Sequence, residues 1–86
     1  MTIDFSKTAL KHIAKLSTSV RNQLTKRLHL FIDDPDSPQL HRHKLKGEYN
    51  GYVSINISGD YRLVYKELSP NHVYVVAIGT HSQLYS

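Results

Sequence analysis

The chain has 86 residues, no cysteine, and a formal net charge of +4 from eleven Lys and Arg against seven Asp and Glu. This length predicts one domain, residues 1–86, and the lack of cysteine excludes disulfide frameworks and thiolate metal sites. The sequence shows neither a leader pattern nor an apolar run of membrane-spanning length. We therefore expect a soluble, cytoplasmic protein without membrane contact, whose natural partner is a polyanion or an acidic protein.

The first half of the chain has the apolar period of amphipathic helices. Asp4 or Ser6 can cap a first helix, and Ser17 or Ser19 can cap a second. The apolar stripes are Leu10, Ile13, Ala14 and Leu16 in the first helix, and Val20, Leu24, Leu28, Phe31 and Ile32 in the second. Pro35 ends the second helix, because proline disfavours helical geometry in the residue before it. The pattern predicts an antiparallel helical hairpin.

The second half has the two-residue period of β-strands. Alternating apolar residues predict strands at residues 52–57 and 61–66, with a turn between them. Residues 73–78 are apolar on both faces, which is typical of a strand inside a sheet. A short strand at residues 2–5 is predicted to add an edge. We therefore predict the α+β class, with two N-terminal helices packed on a small antiparallel β-sheet and a short C-terminal tail or helical turn.

The tail, residues 79–86, brings an imidazole and a phenol to one place. If it forms one helical turn, His81 and Tyr85 stand at positions i and i+4 and share a face. An imidazole titrates near neutral pH, and a phenol offers a hydroxyl group and a flat surface on which a base can stack. These groups suit a protein that handles RNA.

The loop predicted at residues 34–51 contains a basic run, made of His41, Arg42, His43, Lys44 and Lys46. In an extended conformation, a phosphate would meet an imidazole flanked by cations. The alternative is a solvated basic loop with no further role. His41 and His43 also have the spacing of half a metal site with His81 as a third ligand, but catalytic zinc needs ligands held by a second shell. We therefore predict no metal and no cofactor.

Arg62 lies within an otherwise aromatic and aliphatic strand. Either its aliphatic stem covers apolar surface at the rim of the sheet, or its guanidinium group contacts a bound phosphate. In the second role, a planar and permanently charged group stabilises the extra charge of a phosphorane-like transition state. Tyr61 and Tyr65 share a strand face, where such a pair is more often packing than a platform for base stacking. The residues alone leave both alternatives open for Arg62.

Three segments in this order resemble one known family. They are His43-Lys44-Leu45-Lys46-Gly47, then Gly-Asp-Tyr-Arg-Leu-Val-Tyr at residues 59–65, and Ile-Gly-Thr-His-Ser-Gln-Leu-Tyr at residues 78–85. Together with the two helices, they resemble the RelE/ParE superfamily of bacterial and archaeal toxins, and most closely its YafQ-like branch. The resemblance spans nearly the whole chain, and the Gly-Thr-His-x-x-Leu-aromatic ending is its most specific part.

The resemblance implies a ribosome-dependent mRNA endonuclease, encoded with an antitoxin that binds and silences it in a hetero-oligomer. It places His43, His81 and Tyr85 in the active site. It adds Asp60 and also Arg62, which matches a catalytic arginine of RelE-like toxins. For RNA binding we predict the neighbouring basic and aromatic residues His41, Arg42, Lys44, Lys46 and Tyr61.

The chain departs from this resemblance on the strand at residues 52–57. The YafQ-like pattern places an aspartate and a histidine where this chain has Ser54 and Asn56. The basic residues that RelE-like toxins carry on this strand are also missing, since we expect Val53 and Ile55 at the corresponding positions. One acid/base group is therefore predicted to be absent.

The predicted mechanism is metal-independent transesterification of RNA. One of His43 and His81 takes the proton of a 2′-OH, which attacks the adjacent phosphate, and the other protonates the leaving 5′ oxygen. Arg62 and Lys46 stabilise the phosphorane charge, while Tyr85 stacks on or positions the base next to the cut. Two alternatives share the fold: a ParE-like protein that inhibits DNA gyrase by binding, and a catalytically weak antitoxin-binding module.

Overall fold

The chain is built around a five-stranded sheet with the strand order β1-β5-β4-β3-β2. In a computed structural model, which describes residues 1–85, the strands are β1 (Thr2–Phe5), β2 (His43–Lys44), β3 (Tyr52–Ser58), β4 (Tyr61–Ser69) and β5 (His72–Thr80). Strands β3, β4 and β5 form an antiparallel meander, to which β2 adds antiparallel and β1 adds parallel. The α+β prediction, the edge strand and the interior position of β5 are confirmed.

Two helices cover one face of this sheet. Ser6 begins α1 (Lys7–Ala14) by accepting a hydrogen bond from Ala9 N, and Ser17 begins α2 (Thr18–Asp33) in the same way. Asp4 lies in β1 and Ser19 inside α2, so neither is a cap. Helix α1 packs mainly on β5 and α2 mainly on β3. Each helix is therefore held by a different strand of the sheet, and the two helices make few contacts with each other, so the mutual packing expected of a helical hairpin is minor.

The core lies between these helices and the sheet. Its buried residues are Ala9, Leu16, Leu24, Phe31, Leu40, Ile55, Ile57, Leu63, Tyr65, Val73, Val75 and Ile78. The predicted stripes were wrong at Leu10 and Ile32, which are 53% and 45% exposed, and at Ala14, which is also exposed. Ala9, with Ile13 and Leu16 at i+4 and i+7, faces the sheet instead. A small side chain at position 9 lets α1 approach β5 closely, which the volume of a leucine would prevent.

The loop predicted at residues 34–51 is more ordered than the sequence indicated. It contains β2 and two short 3-10 turns, Pro38–Leu40 and Gly47–Tyr49. Leu40 is fully buried and anchors the loop to the core. The loop is therefore fixed at both ends of β2. After β5, the chain continues directly into the five-residue helix α3 (His81–Tyr85), which confirms the predicted helical turn. Ser86, the last residue of the predicted tail, lies outside the described residues.

Candidate active site

A concavity of about 320 Å³ lies on the face of the sheet that the two long helices leave open. Its lining residues are His43, Leu45, Lys46, Tyr49, Ser54, Arg62, His81 and Tyr85. Ser54 and Arg62 alternate with the core residues Ile55 and Leu63, so they belong to the opposite face of the sheet. Within residues 1–85, no Asp or Glu lines the concavity. Among the described residues, it therefore combines two imidazoles with two cations and no carboxylate.

His43 reaches the concavity from the edge strand β2. It is the register partner of Ser54 on β3, so the two side chains lie on the same face. The Nδ1 atom of His43 lies 3.0 Å from the carbonyl oxygen of His41. His41 itself has a φ of 46°, in the left-handed region, which turns the chain between Leu40 and β2. The backbone of His41 therefore orients the ring of His43.

The C-terminal helix α3 brings His81 and Tyr85 over the same concavity. Gly79 permits this fold-back, because a Cβ atom at that position would lie 2.8 Å from Gln83 Oε1 and 3.3 Å from Gln83 Cβ. The turn is closed by two reciprocal hydrogen bonds, from Thr80 N to Gln83 Oε1 and from Gln83 N to Thr80 Oγ1. A third bond, from Tyr49 Oη to the carbonyl oxygen of Leu84 at 2.7 Å, joins α3 to the Gly47–Tyr49 turn.

Three rings pack edge to face beside the concavity. The Tyr85 ring lies 4.8 Å from the His81 ring and 5.3 Å from the Tyr49 ring, measured between centroids. The i, i+4 spacing thus places the imidazole against the phenol, as predicted. Tyr85 Oη and Ser54 Oγ are both buried, and neither has a hydrogen-bond partner within residues 1–85. Such unsatisfied groups are expensive in a core, and both belong to residues that line the concavity.

Arg62 is half-buried and is held by three hydrogen bonds. Its Nη1 atom donates to Asn56 Oδ1 at 2.8 Å, to the carbonyl oxygen of Gly59 at 3.0 Å and to that of Tyr61 at 3.3 Å. These contacts fix the guanidinium group beside the concavity rather than at a solvated rim. Val53 and Ile55 lie on the face of the sheet that the long helices cover. The β3 side chains on the same face as Arg62 are therefore Ser54 and Asn56.

Arg42 is occupied by interactions outside the concavity. Its Nη2 atom makes an ion pair with Asp36 Oδ1 at 2.5 Å. It also contacts the hydroxyl group of Tyr65, whose ring packs against Phe31 at 5.1 Å. Burial raises the pKa of Tyr65, while the hydrogen bond and the charge of Arg42 partly oppose this shift. Tyr65 is thus a packing residue, as its pairing with Tyr61 on the strand suggested.

The structure places the other predicted site residues elsewhere. Arg42 and Lys44 line a neighbouring depression together with Tyr65 and Glu67, at the side of the sheet that carries α2. Tyr61 packs against the core. Asp60 and the side chain of His41 are exposed and do not line the concavity. Parity on the strand separates Lys44 and Tyr61 from the site, whereas His41, Arg42 and Asp60 lie in the loops and turns next to the strands. The resemblance included neither kind of information.

Sequence reasoning missed Tyr49 and Leu45 as lining residues and considered Ser54 only as a departure from a pattern. Tyr49 contacts α3 across 35 positions of sequence, so no local period indicates it. An aromatic residue between Gly47 and Gly51, in a loop otherwise polar, was the available signal. Leu45 is two residues after His43, so in an extended chain its side chain lies on the same side as that of His43. Within the described part of the chain, no cluster of three or more His, Cys, Asp or Glu has the arrangement of a metal site.

Comparison with known proteins gives consistent results. A family model described as "Bacterial toxin of type II toxin-antitoxin system, YafQ" matches residues 1–86. The mRNA interferase toxin RelE of Escherichia coli K12 is 36% identical over 98% of this chain and 88% of the relative. The crystal structure of YafQ from E. coli BL21(DE3) superposes with a TM-score of 0.82, at 23% identity, over 98% of this chain and 97% of that one.

A third similarity is to the intact E. coli RelBE toxin-antitoxin complex. One of its chains is 32% identical to this protein, with a TM-score of 0.69 over 92% of this chain and 94% of that one. No helix within residues 1–85 is both long enough and apolar enough to cross a membrane.

Proposed function

Because the chain belongs to the YafQ family of bacterial toxins from type II toxin-antitoxin systems, we propose that it is a ribosome-dependent mRNA endonuclease. The observation that carries this proposal is the meeting of His43, His81 and Arg62 at one concavity. Two imidazoles and a guanidinium group supply a proton acceptor, a proton donor and a fixed positive charge. The relative named an mRNA interferase supports the same class of reaction.

His43 is the proposed general base. A carbonyl oxygen only accepts hydrogen bonds, so in the neutral ring the nitrogen facing His41 O carries the hydrogen and Nε2 keeps its lone pair. Nε2 takes the proton of the ribose 2′-OH, and O2′ forms a bond to the adjacent phosphorus. His81, protonated, gives its proton to the 5′ oxygen as the phosphorus–oxygen bond breaks. The products are a 2′,3′-cyclic phosphate and a 5′-hydroxyl group, and no metal ion is required.

Arg62 and Lys46 are the proposed electrostatic groups. The phosphorane-like transition state carries one more negative charge than the phosphodiester, and a preorganised cation stabilises that charge most where water is excluded. Arg62 is half-buried and anchored, whereas Lys46 is exposed. We therefore assign the larger contribution to Arg62. Tyr85 positions His81 through their ring contact and offers its face to the base next to the cut. Asp60 receives no role in the chemistry, because it lies outside the concavity.

The charge distribution supports dependence on the ribosome. Residues 5–32, which cover α1 and all of α2 except its last residue, Asp33, contain six of the eleven Lys and Arg and none of the seven Asp and Glu. These helices lie on the sheet face opposite the concavity. A basic surface opposite the site suits a protein that rests on a large RNA while its concavity handles a single strand. On free mRNA, so small a protein holds its substrate weakly.

A cognate antitoxin is the proposed protein partner. The solved structures similar to this chain include toxin-antitoxin complexes. The concavity has cationic walls, and no Asp or Glu of the described residues lines it, so an acidic or amphipathic segment that folds on binding is suited to cover it. The resulting hetero-oligomer would be inactive, and RNA cleavage would return when the segment is removed.

The proposal is tested by mapping cuts in a reporter mRNA by primer extension in a cell-free translation system, with and without ribosomes. We expect cuts that need ribosomes. They should persist when EDTA removes transition-metal ions and Mg²⁺ is then resupplied to keep the ribosomes intact. His81→Ala should lower the cleavage rate by about 10²–10⁴-fold, as loss of a general acid does. His29→Ala is the matched control, because His29 is an exposed histidine on α2.

Three outcomes contradict parts of the proposal. If the mRNA is cut at the same rate with and without ribosomes, cleavage does not require the ribosome. If His81→Ala cleaves mRNA as fast as His29→Ala, His81 does not take part in the reaction. A folded protein that makes no cuts removes the nuclease function, and inhibition of gyrase supercoiling then becomes the next assay.

A further inference from the structure

Asn56 on β3 holds Arg62 on β4 through a cross-strand hydrogen bond. The two residues are register partners, and Arg62 Nη1 donates to Asn56 Oδ1 at 2.8 Å. The carbonyl oxygens of Gly59 and Tyr61 accept from the same nitrogen. Every hydrogen bond that Arg62 makes to residues 1–85 thus comes from one end of a planar group with five N–H donors. Within residues 1–85 the Nη2 donors have no hydrogen-bond partner, which suits contact with a ligand in the concavity that Arg62 lines.

All three acceptors of Arg62 are uncharged. Arg42 shows the opposite arrangement, because its guanidinium group pairs with the carboxylate of Asp36. Within the described residues, no carboxylate lies at ion-pair distance from Arg62, although Asp60 is only two positions away in sequence. An amide oxygen orients a guanidinium group without cancelling its charge, whereas a carboxylate does both.

We propose that Asn56 is a positioning residue that fixes Arg62 for contact with the scissile phosphate and leaves its positive charge unpaired. The inference rests on the proposed function, because the phosphate of the RNA is the anion that Arg62 meets. It also gives a role to the asparagine that stands where the YafQ-like pattern has a histidine. A histidine there would present a ring nitrogen in place of the amide oxygen and a second cation when protonated. Asn56 is then an adaptation to Arg62, not a lost acid/base group.

The orientation is tested first on the free protein, without RNA. In ¹⁵N NMR spectra of the arginine side chains, the Nη1 bonds should slow rotation of the Arg62 guanidinium group and give it separate Nη signals. Asn56→Ala removes the shortest of the three bonds and should therefore speed this rotation and bring the signals closer together. Asn71→Ala, at an exposed asparagine in the β4–β5 turn, should leave them separate. Thermal melts of both variants verify that they are folded.

The consequence for chemistry is tested with single-turnover cleavage of mRNA on ribosomes. Asn56→Ala should lower the rate about tenfold in the native background, as loss of one hydrogen bond to a charged group does, and should change nothing further in an Arg62→Ala background. Asn56→Asp should lower the rate more than Asn56→Ala, because the carboxylate keeps the geometry and neutralises the charge. It should also weaken binding of an RNA with a 2′-deoxy group at the cut.

Three results would overturn the inference. Equal losses from Asn56→Ala in both backgrounds would mean that Asn56 acts on the RNA itself. An Asn56→Asp variant as active as the native chain would mean that the unpaired charge is irrelevant. Merged Arg62 signals in the native protein would mean that the group is not held. If the native chain cuts no RNA, the proposed function fails, and the NMR signals still decide whether Asn56 positions Arg62.

Discussion

The two faces of the sheet are buried by different means. On the face under the long helices, apolar side chains such as Ile55, Leu63 and Phe31 fill the space, with at most 2% of their surface exposed. On the other face, a short helix and a loop cover Ser54 and Tyr85, whose hydroxyl groups have no partner within residues 1–85. The helix face therefore supplies most of the hydrophobic contribution to folding, whereas the other face keeps polar groups that have no partner within residues 1–85.

The largest effect is expected on the helix face. Phe31→Ala should reduce the free energy of unfolding by about 3–5 kcal/mol, because it removes a buried ring that packs on Tyr65. Ile32→Ala, at the neighbouring and 45% exposed residue, should cost far less. Urea denaturation of both variants measures the difference. Similar losses in the two variants would remove the distinction between the faces.

The next largest effect is expected at Gly79, where α3 folds back over the face of the sheet that the long helices leave open. Gly79→Ala places a methyl group against Gln83, so α3 must shift and stability should fall by about 1–3 kcal/mol. Since His81 and Tyr85 move with α3, RNA cleavage should be lost more completely than stability. Chemical shifts of the His81 ring and the cleavage assay report the two effects separately. A second change, Gln83→Ala, removes the closest contact and should restore part of the activity.

A smaller effect of opposite sign is expected at Ser54. Ser54→Ala removes an unsatisfied buried hydroxyl group and should raise stability by about 1 kcal/mol. Ser37→Ala is the matched control, because Ser37 is also buried but its hydroxyl group accepts a hydrogen bond from Gln39 N. That variant should be destabilised. Thermal melts that show losses at both positions would mean that Ser54 is satisfied in the folded protein.

The smallest effect is a dependence on alkaline pH. Burial raises the pKa of Tyr65, so its phenol favours the folded state while it is protonated, and this contribution is lost as the pH rises above about 10. Tyr65→Phe should therefore flatten the decline of stability between neutral and strongly alkaline pH. Urea midpoints at several pH values test this. An unchanged slope would place the alkaline titration elsewhere in the chain.

The fold was largely predictable because long elements have clear periods. The meander follows from strict alternation, and β5 from a run that is apolar on both faces. The helix stripe failed at Leu10, because the small side chain of Ala9 carries little hydrophobic signal yet decides how closely α1 approaches the sheet. Strand β2 was missed because it has only two residues, which is too short to show the alternation of apolar and polar residues that predicts a strand. Its pairing with β3 depends on contacts that are distant in sequence.

The candidate site was predictable where two signals agreed. The i, i+4 spacing and the resemblance both indicated His81 and Tyr85, and the structure brings their rings together. Tyr61 and Arg42 satisfied the charge and aromatic criteria for RNA binding but lie outside the concavity. Tyr49 could not be found, because its contact with α3 exists only after the chain has folded. Composition thus indicated the kind of chemistry, while strand parity and long-range packing determined which residues share the site.

The parallel pairing of β1 with β5 has a consequence for the timing of activity during synthesis. The first strand to leave the ribosome pairs with the last, and α3, which follows β5 directly, carries two of the residues that line the concavity. Neither the sheet nor the concavity can be completed while residues 72–85 are still unmade or enclosed. If the protein acts on ribosomes as proposed, it therefore gains this activity only after residues 72–85 have been made and have folded.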